Sequence, residues 1–445
     1  MRAPASVRAD LTELWLLAWP VVISRLGIMT MGLTDALVVG RFSAVQLGFH
    51  ALGWAPTAVV VTVAIGLLSG VQVMASRAIG EGEPRKAGAA LRRGLTYGLW
   101  IGLASAAVLA FSGPPLLHAI GLAPSLADGA SGVLVIFALS LPAFTISFTA
   151  ATWLEGLGRP KPAMTMMWLA NGVNLAVDLV LVPGHLGAPA LGAVGGGWAT
   201  FTSRSILALA TLIYIVRMPD ARALGVFDKP ARDRITERDQ RRIGYGAGAS
   251  NLFEVASFAG MNIIAGWISA FTVAAYAIQN NVASLVFMVP LGFSTATSVL
   301  VGRAHGSGDL RALNRASVVG FCVVIAFGSV MAMFIWPAAG MIARAYTHDT
   351  TTVAMATVTL TLSCLFLAPD GLQVVVAQSL RARGDVLAPT ATHFFSYAVL
   401  MAPLAWYLAI PSHMGLPGII WAIILASYLS ASLLMARFWM LSNKP

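Results

Sequence analysis

Four carboxylates stand inside long apolar runs of this sequence: Asp35, Asp178, Glu254 and Asp370. An ionised carboxyl in hydrocarbon is costly, so such a group persists there for a function or beside a partner. Its oxygens can take up and release a proton, hold a monovalent metal ion or attract an organic cation, and the residues alone leave all three open. Depth sorts the four into pairs. Glu254 lies about eleven residues into its run and Asp370 about eleven before Arg381, which puts each roughly 16 Å deep at 1.5 Å per residue, near the middle of a ~30 Å hydrocarbon core. Asp35 and Asp178 share a shallower depth, about five residues from the other ends of their runs at the same rise per residue. Asn174, one helical turn before Asp178, shares its face and can hydrogen-bond a proton or a cation's water.

Weaker candidates surround these. Gln279, Asn280 and Asn281 form a polar cluster that suits either a ligand or helix–helix hydrogen bonding. Phe366, one turn before Asp370, offers a cation–π face or plain packing. Asp35 can answer Arg41 as a simple ion pair, His393 is placed for a proton relay, and Arg25 and Arg204 need carboxylates or must snorkel.

The elements that carry these residues are membrane spans. Of 445 residues 58% are hydrophobic and 10% charged, with a mean hydropathy of +0.80. Soluble proteins carry roughly a quarter charged residues, so a cytosolic enzyme, a nucleic-acid module and a disordered chain are excluded. Twelve apolar runs lie near 12–39, 44–76, 91–112, 130–157, 163–183, 190–216, 243–270, 274–302, 313–340, 352–380, 387–410 and 415–439. The basic stretch from Arg217 to Arg242 divides them six and six, giving lobes 1–216 and 243–445 with a linker at 217–242. With the N-terminus inside, 24 of the 28 Lys and Arg fall on the inner side and two outside, which predicts a multi-pass inner-membrane protein with both termini cytoplasmic. The net charge of +10 thus marks membrane orientation, and no nucleic-acid partner is expected. Cys322 and Cys364 read as buried thiols, and no nucleotide, metal-cluster or cofactor signature appears.

The halves echo each other. At an offset of 226, Val73, Arg77, Ala78, Gly80, Gly82, Arg85 and Ala90 match Val299, Arg303, Ala304, Gly306, Gly308, Arg311 and Ala316. Gly192-x-x-Gly195-x-x-Trp198-Ala199 returns as Gly415-x-x-Gly418-x-x-Trp421-Ala422, and Pro142 and Pro162 share the twenty-residue spacing of Pro369 and Pro389. Six spans per half make the repeats parallel, the plan of a transporter whose two bundles alternate access.

Several segments, over nearly the whole chain, resemble the multidrug and toxic compound extrusion (MATE) transporters of the bacterial NorM-like branch. They include Leu17-Ala-Trp-Pro20, Gly32-Leu-Thr-Asp35 through Gly40-Arg41, Ala78-Ile-Gly80-Glu-Gly82, Phe253-Glu254-Val255, the run from Ala274 through Asn281 to Met288, and Asp370-Gly-Leu-Gln373 with Leu380-Arg381. The resemblance implies an all-α polytopic protein of twelve helices in two parallel-related six-helix lobes about a V-shaped cavity. It implies a non-enzymatic, monomeric antiporter that exports small cationic or amphipathic drugs from the cytoplasm against Na+ or H+. Glu254 and Asp370 match the branch's C-lobe cation site, where Na+ is the candidate metal, and Asp35, Asn174 and Asp178 match its N-lobe polar site; Gln279, Asn281, Tyr276 and Phe366 are secondary positions. Three residues depart from the branch's pattern: Arg25 where small or amide residues are usual, Tyr276 in place of His, and Phe366, which lacks a hydroxyl. The rival reading is a flippase for a lipid-linked precursor in the related MOP superfamily, which would show more outward-facing bases than this chain has.

Overall fold

Backbone groups in lipid must be satisfied within the chain, so apolar runs of this length fold as helices. The computed structural model describes residues 7–119, 121–229 and 233–442, which leaves Arg2, Arg232 and Lys444, counted above among the inner bases, outside the described residues. The helices are α1 (Val7–Phe42), α2 (Ala44–Gly80), α3 (Pro84–Ala119), α4 (Pro124–Leu139), α5 (Leu141–Gly156), α6 (Pro160–Leu181), α7 (Ala193–Arg217), α8 (Arg234–Ile268), α9 (Ala270–Gly306), α10 (Leu310–Tyr346), α11 (Thr350–Ser363), α12 (Leu367–Ala382), α13 (Leu387–His393), α14 (Ala402–Ala409) and α15 (Leu416–Ser442). A π-helical segment, Phe394–Met401, joins α13 to α14.

Taking α4 with α5 as one, nine helices among the described residues are long and apolar enough to cross a membrane, and α11 with α12 makes a tenth, bent by 50°. The remaining two of the twelve predicted runs are α8, diluted by Asn251, Glu254 and Asn262, and the interrupted run 387–409. Cys364 is buried as expected, but Cys322 is exposed on α10. An apolar run does not say which of its residues face inward.

The contacts divide the chain into two units, one of residues 23–248 and one of residues up to Val22 with those from Ala249 onward. Both boundaries fall inside helices, α1 and α8, rather than in the 217–242 linker. The reason is polar. Asp10 and Glu13 of α1 pair with Arg315 and Arg303, and Trp15 packs on Phe293 at 5.9 Å between centroids. In the other unit the linker is tied down: Gly88 N donates to Leu224 O at 3.0 Å and Gln240 Nε2 to Ala90 O at 3.1 Å. Hydropathy finds where a chain crosses lipid, not what it packs against.

Each unit repeats the other's backbone signals. Ser43 and Ser269 cap α2 and α9 by accepting from Gln46 N and Thr272 N. Gly82 and Gly308 turn with φ of 75° and 72°, and Gly192 and Gly415 with φ of 55° and 61°, conformations that only glycine adopts freely. Gly195 lies so close to α6 that a Cβ there would sit 2.8 Å from the Leu181 carbonyl carbon, and Gly418 would sit 2.7 Å from that of Leu408. The helix breaks are shared too: α4 gives way to α5 at Ser140, two residues before Pro142, and α11 to α12 just before Pro369.

Candidate functional site

In the first unit α1, α6 and α7 bring the predicted residues together. Asp35 is 2% exposed; its Oδ1 accepts from Asn174 Nδ2 at 2.8 Å and its Oδ2 from Thr200 Oγ1. Arg41 therefore is not its partner. Asp178, fully buried one turn beyond Asn174, has no hydrogen donor among the described residues, and its carboxyl lies close enough to Asp35 for the two charges to interact. Two carboxyls so close, one of them without a donor, call for a shared proton or a cation between them. His50 of α2 stands nearby, buried and with Nδ1 unpartnered.

Beside this pair is a cavity of about 380 Å³, lined among others by Arg25, Asp35, Trp54, Phe144, Phe148 and Arg204. Arg25 donates to Glu155 at 3.1 Å, with both side chains buried, and lies 4.9 Å from the Phe148 ring centre. Arg204, 5% exposed, donates to Ser140 Oγ at 2.8 Å and stands over the rings of Phe144 and Trp54 at 5.0 and 5.6 Å. Met29, Met31 and Met167 add flexible apolar wall.

In the second unit Asp370 occupies the first turn of α12, opened by the break after α11, where the helix dipole favours an anion. Gln373, Tyr397 and Ser427 close around it, the buried polar ends of all three without a closed hydrogen bond among the described residues. Glu254 of α8 lies within electrostatic reach of Asp370 and of Arg381, whose Nη2 donates to Ser250 Oγ at 2.7 Å. Both acids are half-buried. These hard oxygen donors suit a monovalent cation, although among the described residues no three His, Cys, Asp or Glu side chains cluster to hold a metal ion. His393 and Tyr397 meet edge to face at 5.7 Å, and neither ring nitrogen of His393 has a partner among the described residues.

Of the secondary positions, Tyr276 and Phe366 share a hydrophobic cluster with Tyr397. Both are buried there, and Gln279 is buried with Oε1 unpartnered. Asn281 is exposed, some 200° round α9 from Gln279 at 3.6 residues per turn.

One family model, MatE, matches the chain twice, over residues 20–180 and again over 247–407, which is the internal repeat found independently. The chain belongs to the MatE family. MatE relatives match it end to end. The Caulobacter vibrioides protein named "Probable multidrug resistance protein NorM" is 57% identical over 99% of this chain and 93% of its own. The Pseudomonas aeruginosa "Multidrug resistance protein PmpM" is 29% identical over 91% and 85%. A solved MATE family transporter in its outward-facing conformation shares the fold at a TM-score of 0.90 and 18% identity, covering 100% of this chain and 99% of the other. Membership makes the chain a multi-pass membrane transporter rather than an enzyme.

Sequence reasoning missed several participants of these MatE sites, His50, Tyr397 and Ser427 among them. Glu155 pairs with Arg25, while Arg159, four residues on, pairs with Asp220. The signal was Arg25 itself, a mid-span cation that demanded an acid. Thr200 and Ser140 carried no signal, being ordinary small polar residues. Arg381 was counted with the inner bases and is instead buried beside Ser250.

Proposed function

We propose that this chain is a cation-coupled antiporter of the inner membrane, a monomer with both termini cytoplasmic, that exports amphipathic organic cations. The relatives' names supply the drug-export reading. The observation that carries the coupling is the donor-less Asp178 carboxyl against Asp35. A cation or proton entering that pair removes repulsion between two buried carboxylates, and one entering at Glu254 and Asp370 meets ready oxygen donors. The coupling ion, H+ or Na+, drives transport only as far as it binds one conformation better than the other. Support for substrate entry comes from the cavity beside Asp35. Its volume is in the range of roughly 300–1,000 Å³ that small-molecule pockets occupy, with aromatic and methionine walls that accept varied shapes.

The test is efflux of a fluorescent organic cation such as ethidium, with sodium or proton gradients imposed separately. Wild type is expected to need one of them. Asp35→Asn, Asp370→Asn and Glu254→Gln are expected to insert into the membrane and lose gradient-driven efflux. Full efflux in all three, or equal wild-type efflux with neither gradient, overturns the antiport mechanism.

A further inference from the structure

Arg204 is a buried guanidinium that forms no ion pair among the described residues. It donates one hydrogen bond, to the neutral hydroxyl of Ser140. The acid that acts on it at a distance, Asp35, already has its two oxygens taken by Asn174 and Thr200. Arg25 is different, since Glu155 neutralises it. Removing a cation from water is costly unless a counter-charge meets it, and the two rings beneath Arg204 supply only part of that compensation. The guanidinium lines the cavity and leaves donors of its planar fork for something inside it.

The repeat sharpens the point. Applying each segment's own offset, Arg204 of α7 corresponds to Ser427 of α15, and the Ala143–Phe144 dipeptide after Pro142 corresponds to the residues around Asp370 after Pro369. In the second unit that locus is an anion ringed by hydroxyls; in the first it is a cation over an aromatic ring. The two loci match in the fold and carry groups of opposite sign, although Arg204 itself matches Ser427 and Asp370 matches Ala143.

We infer that Arg204 is a carboxylate-binding subsite, so that the substrates of the first unit's cavity include aromatic carboxylates. The carboxylate takes the guanidinium fork and the ring packs against Trp54, Phe144 and Phe148. A zwitterion also offers an ammonium toward Asp35. This rests on the transport reading above and narrows its substrate class.

The probe pair is norfloxacin, a quinolone acid with an ammonium group, and its methyl ester, which keeps ring and ammonium and loses the anion. Binding is titrated on purified full-length protein at neutral pH. Wild type is expected to bind the acid about tenfold or more tightly than the ester, as for a charge-assisted hydrogen bond. Arg204→Gln is expected to bring that ratio near one with ester affinity unmoved, which also shows that the variant is folded. Arg204→Lys, which keeps the charge without the planar fork, is expected to weaken acid binding alone. Equal wild-type affinities, or a preference retained in both variants, overturn the subsite. If neither compound binds while gradient-driven ethidium efflux persists, the subsite is wrong and the transport reading stands; loss of efflux for every probe overturns that reading instead.

Discussion

The two units use one backbone plan with opposite charges. The capping serines, left-handed glycines and close-approach glycines recur at matched positions. Some charges recur as well, Arg77 with Arg303 and Arg85 with Arg311, but those at the bridges and the sites do not. After Gly158 comes Arg159, bridged to Asp220 at 2.7 Å; after the matching Gly384 comes Asp385, bridged to Arg437 at 2.7 Å. At the broken span the first unit has Arg204 over Phe144 and the second has Asp370 beside Ser427. Glycines are fixed by sterics that tolerate no substitute, whereas an ion pair needs opposite signs in either order. Repeats of this kind hold shape in common and differ in chemistry, and so the units need not bind the same thing.

The largest expected effect separates the units by function. Asp35→Asn leaves Asn174 and Thr200 facing an amide and removes the charge that a proton would neutralise. Transport is expected to fall by tenfold or more, on the scale of a lost charge-assisted interaction, with membrane insertion retained. If Asp370→Asn abolishes sodium-driven efflux while Asp35→Asn abolishes proton-driven efflux, each unit answers its own ion. Normal turnover in Asp35→Asn removes the first unit from the coupling scheme.

Next in size is the contrast between Arg25, which has a carboxylate partner, and Arg204, which has none among the described residues. Glu155→Gln strands a buried guanidinium and is expected to cost about 3–5 kcal/mol. The double substitution Arg25→Met with Glu155→Met should recover most of it. Thermal unfolding of the solubilised protein measures both. A negligible effect of Glu155→Gln shows that water reaches Arg25, against the burial seen here.

The shared plan is tested by Gly195→Ala and Gly418→Ala. Each new Cβ falls within 3 Å of a neighbouring helix backbone, and overpacking of that kind costs about 1–3 kcal/mol. Similar losses in the two variants support equivalent packing. A loss in one alone breaks the correspondence.

How much of this was legible in the sequence follows from the same distinction. The spans, the repeat and the four mid-span acids could be read because hydropathy, glycine spacing and a charge in an apolar run are local signals. In the Asp35–Asn174–Asp178 grouping only Asn174 and Asp178 were readable by spacing, one turn apart; Asp35 joined them through shared depth and the family resemblance. Glu155–Arg25 was not readable, because its partners are 130 residues apart. The π-helical segment carrying Tyr397 had no signal either, with no proline inside Phe394–Met401 to mark it.

The smallest effect concerns the two inverted bridges. Arg159 and Asp220 are partly exposed, so the pair contributes at most about 1 kcal/mol. The hydrogen bonds from Arg159 hold the Asp220 carboxyl below the usual carboxylate range. A depressed folded value means that the stabilisation is present above the ordinary carboxylate pKa and is lost as pH falls through the depressed one. Asp220→Asn is therefore expected to lower the melting temperature slightly at neutral pH, less so in high salt, and not at all once the wild-type carboxyl is protonated. Arg159→Asp alone sets two carboxylates together and should do more damage, which Asp220→Arg in the same chain should reverse, giving the first unit the polarity that Asp385 and Arg437 already have in the second. If the swapped pair is no more stable than Arg159→Asp alone, the sign of that bridge is set by its surroundings, and the inverted polarity of the two units is a requirement rather than a free choice.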